Sequence, residues 1–143
     1  MSVNHVRIDA APDDVFRILR AAERYADWIY GAKVVRDVDQ GWPGVNAAFH
    51  HTVSMGLLRC KDSTKILEID APHRLVLEAR MRPFGVAHVI VTVTPVGAGV
   101  RVTMEEKVVS GHFFRPKRWL EPLLALRNAI SLRRLKVLVE GEL

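Results

Sequence analysis

Histidine, carboxylate and thiol side chains are the groups with which a protein most readily moves protons or forms covalent bonds. Those of interest here are the pair His50-His51, Cys60, Asp62 and Glu106, all in stretches where polar and apolar residues alternate. Alternation with a period of two puts residues i and i+2 on one face of a strand. Over residues 47 to 55, His51 shares a face with Phe49, Val53 and Met55, which turns it inward and leaves His50 to water. Over 58 to 70, Asp62 and Thr64 share a face with Leu58, Cys60 and Ile66, and over 100 to 109 Glu106 shares one with Val100, Val102, Met104 and Val108. His51, Asp62 and Glu106 are therefore candidates for polar groups in an apolar chamber. Such a group must find a partner or shift its pKa, and either outcome equips it to orient a ligand or transfer a proton. Two plainer readings stand beside this one. His51 also fits a satisfied core histidine, and Glu105-Glu106-Lys107 also reads as a charged exit from a sheet.

Other chemistries find little support. Adjacent strand residues point to opposite faces, so His50 and His51 do not supply two ligands to one ion, and the chain has neither a His-Glu-x-x-His nor a paired-cysteine spacing. The expectation is no metal and no cofactor. Gly97-Ala98-Gly99 lacks the third glycine and following helix of a phosphate loop and fits a hairpin turn instead. Cys60 lies in a strand pattern with no neighbouring base and reads as a core thiol, and there is no Gly-x-Ser-x-Gly elbow.

The formal charge is +5, and the excess is concentrated late in the chain. Residues 115 to 137 carry seven basic residues (Arg115, Lys117, Arg118, Arg127, Arg133, Arg134 and Lys136) against Glu121 alone. A solvated outer helix face accounts for this, with weak contact to an anionic membrane as the alternative; aromatic interleaving of the kind that binds single-stranded nucleic acid is missing, so no nucleic-acid partner is expected. Arg127 and Arg134 project into the apolar arc of the same segment, where one is placed to receive a ligand carboxylate or to pair with a carboxylate of the sheet.

The elements that must position these groups follow from turn chemistry and periodicity. The chain has 143 residues, 49% of them hydrophobic and 26% charged, which fits one globular domain over 1–143 and excludes disordered or collagenous classes. A lone cysteine, an N-terminus without an apolar signal core and the absence of a membrane-length apolar run point to the cytoplasm; monomer and homodimer both stay open. Residues 3 to 9 form a strand that Pro12 ends, opening a helix with Asp13 and Asp14 near its positive end and Val15, Phe16, Ile18 and Leu19 as its apolar face. A second short helix over 22 to 29 turns Tyr25, Trp28 and Ile29 inward. From Lys33 the period changes to two, and six strands joined by short turns form an antiparallel meander. Gly111 ends them, and a long helix over 116 to 140 enters through Pro116 with a wide apolar set: Trp119, Leu120, Leu123, Leu124, Leu126, Ile130, Leu135, Val137 and Leu138. This order predicts an α+β helix-grip fold: a curved antiparallel sheet of about seven strands, two short helices and a long C-terminal helix.

Five segments sharpen that reading: Ala11-Pro12-Asp13-Asp14-Val15-Phe16, Trp28 at the end of the second helix, Gly41-Trp42-Pro43-Gly44 leading into Phe49-His50-His51, the run 67 to 75, and Gly99-Val100-Arg101-Val102-Thr103. Over nearly its whole length the chain resembles the START-like (SRPBCC) superfamily, and within it the polyketide cyclase/dehydrase and lipid-transport group. The resemblance implies an internal cavity between sheet and long helix that holds an apolar or amphipathic small molecule. It implies no reaction, since that superfamily mixes carriers, sensors and cyclases. Residues in the inward phase of their elements, Phe49, Val53, Leu77, Val102, Met104, Leu123 and Ile130, are expected to line the cavity together with Trp28, with His51, and Tyr25 or Arg127, fixing the orientation of the ligand. The leading expectation is binding or transport of a lipid, polyketide or isoprenoid. The others are an aromatase/cyclase-like enzyme with His51 or Asp62 as general acid/base, and an interaction module using the basic helix.

Overall fold

The computed structural model describes residues 2–55, 58–81, 85–110 and 120–143. Strand β1 (Ser2–Ile8) leads into helix α1 (Pro12–Leu19), a single 3-10 turn (Ala22–Arg24) and the short helix α2 (Tyr25–Trp28). Strands β2 (Ala32–Val38), β3 (Ala48–Met55), β4 (Leu58–Asp70), β5 (Arg74–Met81), β6 (Gly85–Val96) and β7 (Gly99–Ser110) follow, and helix α3 (Leu120–Gly141) ends the chain. The seven strands form one curved sheet in the order β1-β7-β6-β5-β4-β3-β2. Every pairing is antiparallel. The meander and the helix-grip architecture are as expected.

Local chemistry accounts for the elements. Pro12 opens α1, Asp13 and Asp14 sit in its first turn, and Val15, Phe16, Ile18 and Leu19 are buried at helical spacing. Strands β6 and β7 meet in a tight turn that pairs Val96 with Gly99, and Gly97 there has φ +60°, a left-handed conformation that glycine takes without strain. A Cβ on Gly99 would lie 2.6 Å from the Ile8 carbonyl oxygen, so glycine lets the end of β1 pass close beside the hairpin.

Helix α3 lies against β1 and β7 and touches α1 and α2. Polar contacts fix its run along β1: Asn4 Nδ2 donates to the Ala125 carbonyl, Lys136 Nζ to the Arg7 carbonyl, and the Asp9 N–H to Glu140 Oε2. That N–H bond and Lys136 hold the half-buried Glu140 carboxyl below its ordinary pKa. Arg24 clamps the C-terminus of α3 to the α2 region through Glu142 at 2.7 Å and Asp27 at 2.7 Å, and both carboxylates push its pKa upward.

The buried face of α3 differs from the expected apolar set. Asn128, Ser131, Leu132, Leu135 and Val139 are buried, whereas Leu123, Leu126 and Val137 are 55%, 60% and 68% exposed. Apolar residues occur almost all round this helix, so they do not fix its rotation. Leu132, Leu135 and Val139 at spacing 3 to 4, joined by two hydrogen-bonding residues, do. Leu123 is therefore corrected from an inward to an outward position. Ile130 is corrected with it: it borders an open groove shared with Asp27, Arg133, Arg134 and Val137 instead of facing the sheet. Trp119 and the segment from Pro116 lie outside the described residues, as do the side chains of Val53 and Cys60.

Candidate ligand-binding site

The inner face of the sheet changes character along its length. Near the β6–β7 turn it is apolar: Ile8, Phe16, Val91, Val93, Val100 and Val102 are buried together with Leu135 and Val139 of α3. Leu77 and Met104 belong to the same packed core, as does Trp28. Further along, ionisable and hydrogen-bonding side chains replace them.

Strands β3 and β4 carry one part of this polar region. Their register pairs Phe49 with Thr64 and His51 with Asp62, and all four side chains are buried, at 1%, 1%, 3% and 4% exposure. The expected strand phase is thereby upheld, with His50 facing outward at 41% side-chain exposure. His51 Nε2 lies 2.9 Å from Thr64 Oγ1, a diagonal hydrogen bond across the two strands whose direction depends on the imidazole tautomer. Helix α2 lays Tyr25 over the pair. Its ring centroid is 4.6 Å from that of Phe49 and 5.1 Å from that of His51, and Trp42 closes on Phe49 at 5.0 Å. Burial of the phenol end pushes the Tyr25 pKa up, against the opposing influence of the Arg127 guanidinium and of a hydrogen bond with Thr64.

Strand β7 and helix α3 carry the other part. Glu106 is 1% exposed, so Glu105-Glu106-Lys107 is not a charged exit: β7 continues to Ser110, and alternation turns Glu106 inward. Its Oε1 accepts a hydrogen bond of 2.9 Å from Asn128 Nδ2 and lies 3.8 Å from an Arg127 guanidinium nitrogen. Arg127 thus pairs with a sheet carboxylate, while Arg134 stacks over the Tyr30 ring at 5.3 Å. Arg127 also donates to the Tyr30 carbonyl, and Ser131 Oγ accepts from the Tyr30 N–H at 3.0 Å, which ties the loop after α2 to α3. Besides burial, the charges of Arg127, Glu106 and Asp62 bear on the Tyr25 hydroxyl, Arg127 favouring its ionised form and the two carboxylates opposing it.

The structure brings together Tyr25, Trp28, Phe49, His51, Asp62, Glu106 and Arg127 from the expected set. It adds Thr64, Asn128 and Ser131. Thr64 shared the face of Asp62 in the alternation, and Asn128 stands four residues before Leu132 on the buried stripe, so both carried a spacing signal. Among the described residues, no group of three or more His, Cys, Asp or Glu side chains is arranged to hold a metal ion, and no helix is long and apolar enough to cross a membrane.

Residues 2–140 match the family described as polyketide cyclase/dehydrase and lipid transport. The chain belongs to that family. Solved structures share the fold. The structure of protein CV1439 from Chromobacterium violaceum is 20% identical with a TM-score of 0.76, and 96% of each chain is covered. Ara h 8.0201 is 9% identical with a TM-score of 0.78 over 97% of this chain and 96% of the other. The di-domain ARO/CYC StfQ from the steffimycin biosynthetic pathway is 12% identical with a TM-score of 0.77, and the match covers 98% of this chain but 50% of StfQ. At such identities the likeness is one of fold. No curated protein matches the chain in sequence.

Proposed function

We propose that this polyketide cyclase/dehydrase family member binds a small amphipathic molecule, of lipid, polyketide or isoprenoid type, between the inner face of the sheet and α3. The observation that carries the reading is the polar cluster itself. Tyr25, His51, Asp62, Thr64, Glu106 and Asn128 converge from α2, β3, β4, β7 and α3 on one end of an otherwise apolar interior. Burying polar and ionisable groups is unfavourable by a few kcal/mol each unless they are matched. A core needed only for stability would be built from apolar residues, so the cluster is accounted for by a ligand whose polar end it orients, with apolar burial supplying roughly 25 cal/mol per Å² of affinity. Mass spectrometry of material extracted from the denatured protein tests this. A stoichiometric apolar compound is the expected result. If none co-purifies, and fatty acids, sterols and aromatic polyketides produce no thermal shift, the reading fails.

A second reading is favoured by the cross-strand pairing of His51 with Asp62 beneath Tyr25, and by the ARO/CYC description of StfQ. In it, His51 or Asp62 takes a proton from the carbon next to a ligand carbonyl, and a neighbouring donor holds the resulting enolate oxygen. His51→Gln separates the two. As a general base its loss lowers turnover by about 10²- to 10⁴-fold with binding little changed. As an orienting group its loss weakens binding by roughly 1 to 3 kcal/mol and there is no turnover to lose.

A further inference from the structure

Glu106 is the most demanding member of the polar cluster. Its residue is 1% exposed, yet only one carboxylate oxygen is engaged: Oε1 takes the Asn128 amide at 2.9 Å and faces Arg127 at 3.8 Å. Oε2 is fully buried with no hydrogen-bond partner among the described residues. A buried acceptor left without a donor opposes folding, and more so when it belongs to a carboxylate. Nearby groups do satisfy one another: Ser131 Oγ both donates to the Arg127 carbonyl and accepts from the Tyr30 N–H, and His51 bonds Thr64. The open valence at Oε2 is thus local to the inward end of the Glu106 side chain, on the same face of β7 as Val102 and Met104.

We infer that Glu106 determines the specificity of the interior site by accepting a hydrogen bond from a hydroxyl group, phenol or alcohol, on an otherwise apolar ligand. This rests on the binding reading above. The chemistry of the donor follows from the surroundings. Arg127 already faces Glu106 with a compensating positive charge, so a ligand ammonium would bring a second cation into a buried region, with a desolvation penalty of its own. An ether, ketone or carboxylate oxygen at the same place would set lone pairs against those of Oε2. A neutral O–H satisfies the oxygen without adding charge. Sites built to meet a hydroxyl discriminate strongly against analogues lacking it, because the protein group is then left unmatched.

The test uses the full chain and two matched pairs of probes, 2-naphthol with 2-methoxynaphthalene and 1-decanol with its methyl ether, measured by isothermal titration calorimetry. The alcohol of at least one pair is expected to bind about tenfold or more tightly than its ether. Glu106→Gln sharpens the result. Its amide carbonyl keeps the Asn128 bond, which puts the NH₂ group where Oε2 stood and turns an acceptor into a donor. The preference for the alcohol should vanish, with the ether binding as well or better. The comparison in the unmutated protein stands alone if Glu106→Gln does not fold. Equal affinity for alcohol and ether in the pairs that bind, or a preference unchanged in Glu106→Gln, overturns the inference and leaves the binding reading intact. Failure of all four probes to bind also overturns the inference, while the binding reading stands or falls by the extraction and thermal-shift test above.

Discussion

The two ends of the interior share strand β7 and helix α3 and differ in chemistry. At the end near the β6–β7 turn, Ile8, Val100, Val102, Leu135 and Val139 are buried with Phe16 in one apolar core. At the other end, the same strand β7 and the same helix α3 present Glu106 and Asn128, facing Tyr25, His51 and Thr64 of α2, β3 and β4. The apolar end gains free energy from every side chain it buries. The polar end recovers through hydrogen bonds part of what desolvation removes. The contrast concentrates stability at the apolar end, and under the proposed binding function the polar end is the one that would meet the ligand.

The largest expected effect would break that contrast if it failed. Phe16→Ala empties a 2% exposed position in the apolar end and is expected to lower the unfolding free energy by about 3 to 5 kcal/mol, measured by denaturant unfolding. A loss below about 1 kcal/mol would show that this end is loosely packed. Overpacking probes the same end from the opposite direction. Val102→Trp, at 0% exposure, should lose about 1 to 3 kcal/mol in the same measurement, and full tolerance would reveal free space there.

At the polar end, Asn128→Ala removes the donor to Glu106 and should lower stability by about 1 to 3 kcal/mol. The same variant should shift the affinity of any interior ligand, which Val102→Trp shares only by steric exclusion. Tyr25 gives a pH signature. Its pKa is raised in the folded protein by burial, so the fold favours the neutral phenol. That contribution is fully present below the ordinary tyrosine pKa of about 10 and is lost as pH rises toward the folded value. Unfolding free energy should therefore fall more steeply above about pH 10 in the unmutated protein than in Tyr25→Phe. Parallel slopes would separate Tyr25 from the buried cluster. The smallest effect is expected outside both ends: Leu126→Gln, at a 60% exposed position of α3, should change stability by no more than about 0.5 kcal/mol.

Much of this architecture was legible in the residues. Pro12, the β6–β7 glycines and the uninterrupted run of period-two segments determined the order of elements and the antiparallel meander, because short turns leave neighbouring strands little other way to pair. The same alternation placed His51, Asp62 and Glu106 on inner faces, since side-chain direction along a strand is a local property of the backbone. Only the tertiary structure decided the rotation of α3. A helix apolar on most sides has several nearly equivalent ways to lie on a sheet, and the choice fell to contacts distant in sequence: Asn128 on Glu106, Ser131 on Tyr30, and Leu132 and Leu135 in the core. That choice moved Leu123 and Ile130 outward and brought Asn128 inward. It also gathered polar residues from five separate elements into one cluster. No local pattern specifies such a convergence, because it depends on how far the sheet curves and where the helix settles upon it.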